Sequence, residues 1–138
     1  MRRDECFRKL AEHRGEAIVV AAYTSAFEWV AIDPSPLNYV SVGAMGQASS
    51  HALGLAIGLP DRKIVVLDGD GSLLMNLGSL VTIAEAGPEN LVHFVVENGT
   101  YEANGGHPTE YDYEMLHSPR MREAFRQAVR PFLGGGDG

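Results

Sequence analysis

Two short stretches concentrate groups able to hold a charged ligand. Asp68 and Asp70 alternate with Gly69 and Gly71 in "VVLDGDGSLLMNLGSL", and Glu97, Asn98 and Gly99 open a second polar knot in "VVENGTYEANGGHPT". Each follows an apolar run. Carboxylate and amide oxygens are hard donors for Mg²⁺ or Ca²⁺, and glycines let backbone N–H groups approach phosphate oxygens. A calcium loop counted from Asp68 would need a bidentate acid where Ser79 stands, and a helix where "KIVVL" reads as a strand. That reading fails. A dinucleotide fingerprint would need glycine where Leu74 stands. A plain tight turn, with glycines permitting positive φ, accounts for "DGDGS" taken alone.

Asn98 shifts the balance. Twenty-six residues separate Gly71 from Asn98, enough for one helix and one strand returning to the same sheet edge. Such a unit can set the Asp70 carboxylate beside the Asn98 amide oxygen. The pair suits Mg²⁺, which often bridges carboxylate and phosphate. Ser72 is expected to open the following helix, whose N-terminus favours anions. The chemistry expected is a diphosphate held through Mg²⁺.

The elements that must position these groups alternate in type. "DECFRKLAEH" spaces Cys6, Phe7, Leu10 and Ala11 as an amphipathic helix. "EAIVVAAY" reads as a buried strand, after which Thr24 or Ser25 can cap a helix over "SAFEWVAI". Pro34 and Pro36 end that helix. "YVSV" is a second strand. It leads into a small-residue helix, "GAMGQASSHALGLAIGLP", expected to pack so closely that larger side chains would not fit. "KIVVLDGD" is a third strand, a helix is expected from about Asn76 to Ala86, and "NLVHFVVEN" is a fourth strand. No strand is expected after Asn98, and one helix is expected over Pro119 to Val129.

Continuous apolar strands imply coverage on both faces, as in a parallel sheet between helices. The fold class expected is α/β, an open three-layer α/β/α sandwich with a mostly parallel sheet. In such sheets ligands bind beyond the carboxyl ends of strands. "YTS", "GAMG", "DGDGS" and "ENGTY" all fall at such ends, which argues for one shared site.

The composition narrows the classes of function. The 138 residues suit one domain over 1–138, with an atypical tail from about residue 110. A net charge of −7 with no basic run argues against nucleic acid as a partner. One cysteine, Cys6, cannot form an intrachain disulfide, which makes a cytoplasmic location the expectation. No apolar run approaches the ~20 residues that span a bilayer, so no membrane role is expected.

Gly69-Asp70-Gly71 with Asn98 at this spacing resembles the signature of thiamine-diphosphate enzymes. The likeness runs from about Ile18 to Thr109. It covers the diphosphate-binding (PP) domain, and is similar above all to that of the sulfopyruvate and phosphonopyruvate decarboxylases. The resemblance implies the thiamine-diphosphate-binding fold, with thiamine diphosphate and Mg²⁺ as cofactors. It implies Asp70, Asn98 and the Thr100 carbonyl as metal ligands. Gly69, Gly71, Ser72 and Tyr101 would line the diphosphate, reached also by Thr24 and Ser25. In "GAMG", Met45 would wedge between the cofactor rings, with Gly43, Ala44 and Met45 against the aminopyrimidine edge. Glu97 departs from the family, which often has a second asparagine there.

The resemblance also implies that the activating glutamate lies on a PYR-type domain that these residues lack. The chain is therefore expected to act as a beta-type subunit in an oligomer with a PYR-type alpha subunit. Its substrate would be a small anionic 2-oxo acid. Relatives continue past "GGHPT" with a further strand and helix, where this chain has "EYDYEMLHSPRMREAFRQAVRPFLGGGDG". A non-catalytic thiamine-diphosphate-binding or interaction protein is the alternative, and a nucleotide-binding α/β domain a third reading. His51 is expected to be packed or partly exposed, His93 to be a satisfied buried histidine, and Cys6 and Trp29 to be packing residues. His107 could face a substrate carboxylate.

Overall fold

β-Branched residues dominate the two strands at the centre of the sheet, β1 (Ile18–Ala22) and β3 (Ile64–Gly69). In the computed structural model the described residues are 2–41 and 43–109. β1 and β3 pair in parallel, Val19 beside Val65 and Ala21 beside Leu67. β2 (Asn38–Ser41) flanks β1 and β4 (Leu91–Val96) flanks β3, both parallel, giving the order β2-β1-β3-β4. The chain thus leaves β1 in one direction to form β2 and crosses back to form β3 and β4. The reversal falls between β1 and β3, the switch point at which open α/β sheets leave a crevice for ligand.

Alternation along β1 and β3 divides the core between two faces. Val19, Ala21, Val65 and Leu67 meet Phe7 of α1 (Arg3–His13) and Ala26 and Trp29 of α2 (Tyr23–Ile32). Phe7 and Trp29 pack edge to face at 5.9 Å. On the other face, Val20, Ala22, Ile64 and Val66 meet Ala48, Ala52 and Ala56 of α3 (Ala48–Gly58). Alanine at every fourth position brings one stripe of α3 against the sheet. The expected close packing holds along that stripe. It does not hold at Gly54 and Gly58, where an added Cβ would meet nothing within 4 Å. α5 (Gly78–Ala86) lies beside α3, joined by a buried contact of 2.7 Å between the Ser49 and Ser79 hydroxyls. The result is the three-layer α/β/α arrangement.

Several local expectations need correction. Neither Thr24 nor Ser25 caps α2. That helix begins at Tyr23 with Ala22 at its N-cap and no side-chain cap. The helix expected from Asn76 is preceded by a separate short one, α4 (Asp70–Leu74). Two short strands do follow Asn98: β5 (Thr100–Tyr101) and β6 (His107–Pro108) pair antiparallel. Burial on both faces is true of β1 from Val19 to Ala22 and of β3 from Ile64 to Asp68, whereas every residue of β4 is half-buried or exposed. The helix expected over Pro119–Val129 lies outside the described residues. None of the described helices is long and apolar enough to cross a membrane.

Candidate functional site

The carboxyl ends of β1, β3 and β4 open onto one cleft at the switch point. Thr24 and Ser25 line it from β1, Gly69 to Ser72 from β3, Asn98 and Thr100 from the loop after β4, and Met45 from the loop after β2. The space it encloses, with its open mouth to solvent, is about 390 Å³.

Asp68 and Asp70 have separate fates because a strand ends between them. Asp68 still belongs to β3 and is 2% exposed, with Oδ1 accepting the Gly69 N–H at 3.0 Å. Its Oδ2 lies 3.4 Å from His93 Nε2. Gly69 remains extended, and Asp70 becomes the first residue of α4. Asp70 Oδ2 accepts the Gly99 N–H at 2.9 Å and the Thr109 hydroxyl at 3.0 Å. These bonds fasten the loop after β4 to the end of β3. Asp70 Oδ1 accepts no hydrogen bond from the described residues, and Asp70 lines the cleft.

Asn98 closes an Asx turn: its Oδ1 accepts the Thr100 N–H at 2.8 Å and the Thr100 hydroxyl at 3.1 Å. Positive φ at Gly99, +70°, lets the chain reverse there. Tyr101 lays its ring against Gly71, so close that a Cβ on Gly71 would fall 2.7 Å from Tyr101 Cδ1. Any larger residue there would have to push the Tyr101 ring aside.

The loop after β2 is tied down from below. Gly46, at φ +85°, donates its N–H to the buried Ser72 Oγ at 2.9 Å. Ser72 accepts that bond and keeps its own proton to donate. Ser72 is the third residue of α4 rather than its opening residue, and a helix of five residues has little dipole to offer an anion. The donors that line the cleft include the hydroxyls of Thr24, Ser25 and Ser72. Gly43 is exposed and Ala44 half-buried, and neither lines the cleft. Tyr23 sits at φ +51° where β1 bends into α2, a left-handed conformation costing a non-glycine residue of order 1–3 kcal/mol.

One cation lines the cleft among the described residues. Arg3, in the first turn of α1, donates to Glu28 of α2 and, at 2.8 Å, to Glu102. Burial disfavours the Arg3 charge, but the two carboxylates outweigh it and raise its pKa.

The donor set suits a hard divalent ion and a phosphate ester. Among the described residues no three His, Cys, Asp or Glu side chains gather to cage a metal. The carboxylate of Asp70 and the amide of Asn98 bring hard oxygen donors of the kind Mg²⁺ takes to the cleft lining. Arg3, Glu102 and Thr109 were absent from the sequence expectations. Arg3 and Thr109 lie 67 and 39 residues from Asp70, counted as 70 − 3 and 109 − 70. His51, His93 and His107 stand apart from the cleft lining: His51 packs on Tyr39 with ring centroids 5.4 Å apart, His93 faces Asp68, and His107 is exposed on β6.

Known proteins resemble this chain in sequence and in fold. Residues 19–130 match the family model described as thiamine pyrophosphate enzyme, C-terminal TPP binding domain. The chain is 45% identical over 103 residues to phosphonopyruvate decarboxylase of Streptomyces viridochromogenes, covering 74% of this chain and 26% of that protein. Sulfopyruvate decarboxylase subunit beta of Methanothermobacter thermautotrophicus is 47% identical over 85 residues, 62% of this chain and 45% of that one. The subunit beta of Methanocaldococcus jannaschii is 36% identical over 110 residues, covering 78% and 58%. The chain thus matches only part of the length of each relative. A solved structure from Mycobacterium smegmatis, described as that of a thiamin diphosphate-dependent enzyme, superposes with a TM-score of 0.67. It covers 84% of this chain and 24% of that one at 23% identity, a likeness of fold.

Proposed function

Because this chain belongs to the family of C-terminal thiamine-pyrophosphate-binding domains, we propose that it is the thiamine-diphosphate- and Mg²⁺-binding subunit of a 2-oxo acid decarboxylase. The substrate is of the sulfopyruvate or phosphonopyruvate type, and a separate PYR-type alpha subunit completes the site. The observation that carries this reading is the placing of Asp70 and Asn98 at the switch-point cleft, linked by the Gly99 N–H bond to Asp70 at 2.9 Å.

In this reading Asp70 Oδ1, Asn98 Oδ1 and the Thr100 carbonyl hold Mg²⁺. Ser72 donates its free proton to a diphosphate oxygen while accepting from Gly46, so one hydroxyl couples the loop after β2 to the phosphate. Thr24 and Ser25 donate from the β1 side. Tyr101 packs its ring on Gly71 and sets the height of the loop that carries the ligands. Met45 projects from the loop after β2 as an apolar support for the cofactor rings, flanked by Gly43 and Ala44. Bound thiamine diphosphate supplies a carbon nucleophile toward the 2-oxo acid carbonyl and a sink for the electrons left as CO₂ departs. The likeness to subunits beta in the methanogens supports a two-chain assembly.

The test is reconstitution. The full chain is mixed with a PYR-type alpha subunit, thiamine diphosphate and Mg²⁺, and CO₂ release is followed from sulfopyruvate and from phosphonopyruvate. Release that needs both chains is expected. Cofactor binding without release from either acid contradicts the decarboxylase and leaves a non-catalytic binding protein.

A further inference from the structure

Glu102 stands between a half-buried cation and a proposed metal ligand. Its Oε2 accepts from Arg3 Nη1 at 2.8 Å and from Asn98 Nδ2 at a long 3.5 Å. The other end of the same amide, Oδ1, accepts from Thr100. Which way an asparagine amide points is decided by such partners. Reversed, its oxygen would face the Glu102 carboxylate and its NH₂ would face the Thr100 N–H, a repulsion at each end. Thr100 already favours this orientation from the Oδ1 end, and Glu102 adds a second preference from the Nδ2 end.

Glu102 cannot hold that position alone. Its side chain is half exposed, on a 3-10 turn whose next residues reach the left-handed Gly105. An exposed carboxylate on a free rotor is a poor guide. Arg3 is the better-fixed partner: its side chain is 23% exposed, and its Nε is bound to Glu28 of α2. A planar guanidinium can engage two carboxylates in set directions, which an ammonium cannot reproduce. We infer that Arg3 and Glu102 are positioning residues that hold the Asn98 amide by its Nδ2 end and so keep Oδ1 as the end available to Mg²⁺. The inference rests on the reading of Asn98 as a metal ligand.

The tether comes from an unexpected part of the chain. Arg3 precedes residue 19, where the family match begins, and is 99 residues from Glu102. The amino-terminal helix α1 therefore has a function beyond covering the sheet. It fixes one wall of the cleft.

The experiment is calorimetric titration of Mg²⁺ into the full chain at saturating thiamine diphosphate, with thermal midpoints measured on the same samples. The variants are Glu102→Ala, Glu102→Gln, Arg3→Met and Arg3→Lys. Supporting groups of this kind change metal affinity by about 10–100-fold when removed. About tenfold weaker Mg²⁺ binding is expected for Glu102→Ala and Arg3→Met. Glu102→Gln keeps an acceptor for Asn98 Nδ2, and Arg3→Lys keeps the charge without the fork, so both recover part of the loss. Part-exposed ion pairs are worth little in stability, so the thermal midpoints should scarcely move. Wild-type Mg²⁺ dependence in Glu102→Ala and Arg3→Met overturns the inference, as does a loss that follows the thermal midpoint across the series. A wild-type chain that binds no thiamine diphosphate overturns the reading beneath it, an outcome distinct from indifferent variants of a binding chain.

Discussion

Replacing Gly71 by alanine tests the geometry of the cleft with a single methyl group. The added Cβ would lie 2.7, 3.0 and 3.3 Å from three ring atoms of Tyr101. Carbon atoms reach their optimum at about 3.5–4.0 Å, so the ring must retreat by roughly 1 Å. Overpacking of this kind costs about 1–3 kcal/mol. Alanine also favours a helix over glycine by about 1 kcal/mol, which offsets part of the loss. Net destabilisation of about 0–2 kcal/mol is expected, from 1 − 1 to 3 − 1. Gly54→Ala supplies the reference: the site is helical and exposed, with nothing within 4 Å of the new Cβ. That variant should gain about 0.5–1 kcal/mol. Urea unfolding of both variants isolates the clash as their difference, about 1–3 kcal/mol. In a Tyr101→Ala background the ring is gone, and Gly71→Ala should lose its cost. The reasoning is refuted if Gly71→Ala and Gly54→Ala are equally stable, or if the cost of Gly71→Ala persists without the Tyr101 ring.

Three further substitutions probe the scaffold, each read by urea denaturation. Ser72→Ala leaves the Gly46 N–H without its buried acceptor and should cost about 1–3 kcal/mol. Asn38→Ala removes an oxygen that accepts from both Arg14 Nη1 and Trp29 Nε1, each at 2.9 Å, and should cost about 2–3 kcal/mol. Ala52→Leu forces a large side chain into a fully buried position between α3 and the sheet and should cost about 1–3 kcal/mol, with the helix still formed by circular dichroism.

The main frame of the fold was legible because its signals are regional. Valine-rich runs bounded by glycine and polar clusters marked β1 and β3, and their position in the chain placed four polar knots at strand ends. Shorter features escaped because they carry no period. β5 and β6 have two residues each, and α4 has five, too few for alternation or a helical stripe. The start of α2 was misplaced because Tyr23, rather than a capping hydroxyl, makes the bend by taking a left-handed conformation. β4 is as apolar in sequence as β3, but its burial depends on neighbours that sequence pattern does not specify. At the cleft, Asp70 and Asn98 could be paired because one strand-helix-strand unit joins them. Arg3 could not, since only the packing of α1 on α2 brings it to the same wall.

The central claim is that Asp70 helps to hold thiamine diphosphate through Mg²⁺, and calorimetric titration of thiamine diphosphate tests it most directly. Wild type and Asp70→Ala are each titrated with and without Mg²⁺. Wild type should bind tightly only with the metal, and Asp70→Ala should lose most of that dependence. Wild-type binding that ignores both Mg²⁺ and Asp70, or no binding at all, contradicts the account.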